Sequence, residues 1–256
     1  MRAQGGQPSQ KLHNMLDGIK RLFSAGPATA PDGWDGVVPW AQSKQYAFRA
    51  VKEEGFVIDG RLGATPWRLE WGPSHRPYIH GHELRLRAEL GLSSDLQVVV
   101  MNRELQESME KAVFDQYVEG VQTRIDNQTP PEMRWLVMFP KLPGTEMPLL
   151  RERYCALASM QSWLRHWLDG ALTQGLAALR IAPEVPLVLM IGRGRLMLRT
   201  AVLDADVATL QGWVRLFEIA MREALRVTTE HSDSVVPSTQ PSLWQTSALP
   251  GDERDK

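Results

Sequence analysis

The chain of 256 residues has a single cysteine, Cys155, so no intrachain disulfide can form, and a secreted scaffold stapled by bridges is excluded. Long apolar runs are missing as well. The longest, Trp135–Phe139 and Leu187–Ile191, cover about five residues, against about 20 for a membrane-spanning helix. Residues 1–10 are polar and rich in Gly and Gln, without the apolar stretch of a secretory signal, so a cytoplasmic location is expected. There is no excess of charge: 29 basic side chains face 30 acidic ones. That balance argues against a dedicated nucleic-acid binder, which carries a basic excess or stripe. Catalytic signatures are absent too. There is no Gly-x-Ser-x-Gly elbow, no His-Glu-x-x-His helix and no carboxylate pair recognisable as an acid/base couple.

What remains is globular. Hydrophobic residues make up 43% and charged ones 23%, too apolar and too balanced for a disordered chain. Nine tryptophans supply large rings for a core.

Residues 1–25 form an expected arm. Leu12, Met15, Leu16, Ile19, Leu22 and Phe23 recur at helical spacing, and Arg2, Lys11, Lys20 and Arg21 outweigh Asp17. A Gly/Pro-rich linker, 26–33, follows. A cationic amphipathic helix on a hinge has three outlets: its own body, a partner's groove, or, through residues 11–23, an anionic membrane surface. At about 13 residues it is marginal alone in water. One such arm per chain would also suit a homo-oligomer.

The body, 34–227, reads as α+β with a mainly antiparallel sheet and helices on one face. Ser43–Glu54 reads as a helix closed by Gly55, followed by strands at Phe56–Leu62 and Pro66–Gly72. Tyr78–Leu90 carries the clearest period of two: Leu84, Leu86, Ala88 and Leu90 on one side, Glu83, Arg85, Arg87 and Glu89 on the other. Gln97–Met101 is a fourth strand, and Asn102 can cap a helix to about Glu119 with Leu105, Met109, Ala112, Val113 and Tyr117 inward. Pro130-Pro131-Glu132 opens a helical turn before extended chain, and a sub-boundary is conceivable near 140–150. The last third reads β-α-β-β-α. It has a strand at Arg151–Ala158, one long helix from Ser159 to Leu179, a hairpin around Gly192-Arg193-Gly194-Arg195, and a helix starting at Asp204 or Asp206. The two halves could be similar lobes or one continuous sheet. This outline resembles that of several bacterial domains of unknown function, with no motif that carries residues over. Residues 228–256, rich in Ser, Thr and Pro, read as a disordered tail.

Five features could carry chemistry. His75, His80 and His82 could ligate a metal if His80 and His82 share a strand face; covering the end of the sheet is the simpler reading. Arg193 and Arg195, with Arg199, could hold an anion or an acidic partner, or form a solvated basic turn. Cys155 has no local base and reads as a buried inert thiol. Trp34 and Trp40 could stack a ligand or pin the arm, and Trp244 could act as a docking peptide within the tail. The arm is the fifth. Together these features favour a non-enzymatic interaction or adaptor protein that binds a protein partner through its arm and tail. The alternative is a small-molecule or metal-dependent enzyme around His75, His80 and His82. No cofactor is identifiable.

Overall fold

Alternating and wholly apolar segments combine into one eight-stranded antiparallel sheet. It is seen in a computed structural model that describes residues 34, 36–51, 55–118 and 129–233. The expected arm and linker lie outside the described residues, as do Leu12, Met15, Leu16, Ile19, Leu22, Phe23 and Trp244. The strands are β1 (Ala47–Val51), β2 (Gly55–Leu62), β3 (Thr65–Pro73), β4 (His82–Glu89), β5 (Val98–Asn102), β6 (Tyr154–Ala158), β7 (Leu187–Gly192) and β8 (Arg195–Ala201). Their order is β1-β2-β3-β4-β8-β7-β5-β6. The closing hairpin thus enters between β4 and β5 and joins both halves into a single sheet.

Six α-helices accompany it among the described residues: α1 (Val37–Ser43), α2 (Arg103–Val118), α3 (Pro131–Met138), α4 (Gln161–Trp167), α5 (Ala171–Ala178) and α6 (Val207–Asp233). None is long and apolar enough to cross a membrane. They occupy both faces of the sheet, not one as expected. The larger core packs α1, α4, α5 and α6 under Phe56, Leu69, Leu84, Leu86, Leu189 and Leu198. A second core, on the opposite face, packs α2 and α3 over Val99, Met101, Leu157, Val188 and Met190. This explains the wholly apolar runs: β5, β6 and β7 are buried on both sides. Leu84, Leu86 and Ala88 of β4, and Leu90 just after it, are buried on the larger core's side, as the alternation predicts.

Several local expectations are corrected. Ser43–Glu54 is not a helix: α1 ends at Ser43, and Ala47–Val51 pairs with β2 as an edge strand. Gly55 does not close a helix; a Cβ there would lie 1.8 Å from the Trp71 carbonyl oxygen, so the close strand approach requires glycine. Tyr78–Gly81 precedes β4 rather than belonging to it. Asn102 does not cap α2, because its side chain donates to the Pro183 carbonyl at 2.6 Å and accepts from the Leu187 N–H at 2.9 Å. On α2, Leu105 and Met109 face the core but Ala112 is exposed. The single helix expected from Ser159 is two, divided at Gly170, whose φ of +99° only glycine adopts readily. Ser159 ties β6 to the loop before β5, accepting from the Gln97 N–H and donating to the Asp95 carbonyl. Asp206 caps α6 through the Thr209 N–H, and α6 runs to Asp233, beyond the boundary read at Val227. The β7–β8 turn is as expected, with positive φ at both Arg193 and Gly194, the pattern of a two-residue type I′ hairpin.

Candidate functional site

On the face that carries α2 and α3, strand register sets charges side by side on β3, β4 and β8. Arg68 lies opposite Arg87, and Arg85 lies opposite Arg199. Like charges placed directly opposite destabilise a sheet unless counter-charges intervene. Here glutamates intervene. Glu70 bridges Arg85 at 3.2 Å and Arg87 at 3.0 Å. Glu83, fully buried, takes Arg199 at 2.5 Å and the His75 backbone N–H at 2.9 Å. Arg68 is held by Asp59 and Arg195 by Glu89. The face expected to be wet is therefore an ion-pair lattice with one wholly buried carboxylate.

A second buried carboxylate comes from α3. Glu132 has no solvent exposure, accepts from Arg76 Nε at 2.6 Å and from the Tyr78 hydroxyl at 2.5 Å, and so ties the segment before β4 to α3. Burial pushes the Tyr78 phenol well above its ordinary range, and the Glu132 carboxylate adds to the shift.

Between α3 and the β7–β8 hairpin lies a cavity of about 680 Å³, walled by Arg76, Arg134, Arg193 and Arg195 and floored by Trp135, Met138, Met190 and Met197. A smaller one of about 270 Å³, around Arg85, Arg87, Arg199 and His75, shares Arg195 and Met197 with it. The two make one groove. Seven arginines line it, and four glutamates (Glu70, Glu83, Glu89 and Glu132) pair with five of them. Arg134 and Arg193 have no acidic partner among the described residues, and the buried Nε–H of Arg134 has no acceptor. The Trp135 ring lies over Gly192, where a Cβ would come within 2.7 Å of it. Planar guanidinium forks beside polarisable thioethers suit a ligand that is anionic and partly apolar.

Arg193 and Arg195, read from the sequence as anion-binding candidates, thus sit on the wall of the largest of these cavities. The histidines have separate surroundings. His82 stacks on Trp71, with ring centroids 4.3 Å apart. His75 Nδ1 meets Arg85 at 2.5 Å. His80 borders another cavity, beside α2. Among the described residues, no three His, Cys, Asp or Glu side chains are grouped as a metal ion would need. Cys155 is buried under α2 and α3, and burial raises its pKa. Trp34 packs edge-on against Phe56 and Trp71, and Trp40 is in the core. Sequence reasoning missed Arg76, Arg85, Arg134, Glu83 and Glu132 as site residues. The available signal was basic residues at even spacing on the polar faces of two strands, Arg85 with Arg87, two apart, and Arg195 with Arg199, four apart. Compared with protein-family models, curated proteins and solved structures, the chain matches none.

Proposed function

We propose that the protein is a non-enzymatic interaction protein, an adaptor or assembly component, whose body docks an acidic, partly apolar segment of a partner protein in the arginine-lined groove. The observation that carries this reading is that Arg134 and Arg193, without an acidic partner among the described residues, line the cavity beside Trp135 and the exposed Met138. Arginine, methionine and tryptophan are the residue types enriched at protein interfaces. The wall of the larger cavity supplies guanidinium, thioether and indole groups, which suit binding. In this reading the arm (Leu12 to Phe23) and Trp244 supply further partner contacts. The alternative, a metal-dependent enzyme around His75, His80 and His82, is favoured by no specific contact.

The test is fluorescence anisotropy with a labelled peptide that alternates Asp or Glu with Leu. Binding that weakens as salt rises, and by at least about tenfold in the Arg134→Gln/Arg193→Gln double variant, is expected. No binding of such a peptide, or equal binding by the double variant, would overturn the proposal.

A further inference from the structure

We infer that the smaller, inner end of the groove is a subsite for a phosphate monoester, held by Arg85 and Arg199 and rimmed by Arg87 and Arg195. The inference rests on the reading of the groove as a docking surface and adds the chemistry that surface selects.

Four observations carry it. Arg85 and Arg199 are direct register partners on adjacent strands, and they share the buried Glu83, which lies 2.5 Å from Arg199 and 4.0 Å from Arg85. Their side chains are largely enclosed, 17% and 13% exposed, so their charge is little screened by water. The Nε–H of each is buried without an acceptor, which leaves both guanidinium forks incompletely used. Finally, four arginines, Arg85, Arg87, Arg195 and Arg199, border one cavity of about 270 Å³ and share three carboxylates, Glu70, Glu83 and Glu89. A phosphate monoester carries close to two negative charges at pH 7 and presents three acceptor oxygens, a better match to paired forks than one further carboxylate. His75, its Nδ1 2.5 Å from Arg85, also lines the cavity. The ester could belong to a phosphorylated side chain of the docked segment or to a free small molecule; the chemistry at the arginines is the same.

Calorimetric titration of the full chain separates the possibilities, using a phosphoserine-bearing acidic peptide, its unphosphorylated twin and inorganic phosphate. The phosphopeptide is expected to bind at least about tenfold more tightly than its twin, and Arg87→Gln, at the exposed rim, should remove that gain, so that the two peptides bind the variant equally. Arg85→Lys, which keeps the charge but loses the fork, should do the same, with its melting curve checking that it folds. Equal affinity of the two peptides would overturn the subsite yet leave the groove reading standing. Inorganic phosphate that binds and depends on Arg87, with neither peptide binding, would support the subsite with a small-molecule source and sink the peptide reading. No response to any of the three would overturn both.

Discussion

Glu132 and Arg76, 56 positions apart in sequence, meet at 2.6 Å in a place where the carboxylate has no contact with water. This pair, with the Tyr78 hydroxyl on the same oxygen, fastens the segment before β4 to α3 and so sets one wall of the groove. Removing one partner of a buried ion pair strands the other. Glu132→Ala is expected to destabilise the fold by about 3–5 kcal/mol, read from urea denaturation. Stability within 1 kcal/mol of the parent would show that the pair contributes little.

Tyr78 gives the fold a dependence on alkaline pH. Its folded-state pKa is raised by burial and by Glu132, above about 10 for an unfolded tyrosine. The stabilisation is therefore fully present below about pH 10 and declines as pH rises beyond it, because the unfolded chain releases this proton first. Tyr46 and Tyr154 are shifted in the same direction and contribute to the same decline. Tyr78→Phe is expected to flatten the fall of melting temperature between pH 9 and 11 and to lower stability at pH 7 through the lost hydrogen bond. An unchanged pH slope would contradict the assignment.

Leu84→Asp places a carboxylate in the larger core, at a position with no exposure. A loss of several kcal/mol is expected from chemical denaturation, as for other unpaired buried charges. Full stability would overturn the register of β4.

Gly192→Ala tests the contact between the β7–β8 hairpin and α3. The new methyl would press on the Trp135 ring, a buried group with little room to move. Overpacking of this kind costs about 1–3 kcal/mol, and a shift in tryptophan emission should accompany it.

Deletion of residues 1–25 is expected to leave the melting temperature of the body close to that of the full chain, because the two described cores close without them. Association with a partner or a surface should fall. Unfolding of the shortened chain would place the arm within the core instead.

Much of the sheet could be read from the sequence because period-two patterns are strong where one face is apolar and the other charged, as in β4, and apolar runs are strong where both faces are covered, as in β7. Ala47–Val51 was read wrongly because Ala, Arg and Val beside Lys and Glu satisfy a helical pattern as well as an extended one, and only pairing with β2 decides. Gly170 lies within the Ser159–Leu179 stretch that reads as one helix, and no local feature announces its positive φ. The groove was the least legible part. Arg76, Arg85, Arg134 and Arg195 lie far apart along the chain, and the β4–β8 register and the Glu132 anchor bring them together. The hairpin arginines Arg193 and Arg195 were visible only because turn chemistry placed them at a loop tip.

The strand order has a kinetic consequence. On a ribosome, β1 to β4 can zip up as successive neighbours as soon as they emerge, since each pairs with the next in sequence. The outer edge of β4 then waits for β8, more than 100 residues later, and in the interval it is an open template for another chain. The alternating Glu83, Arg85, Arg87 and Glu89 on that edge repel casual pairing with apolar strands. The same charges that later line the groove would thus guard the nascent chain until synthesis reaches the hairpin that completes the sheet.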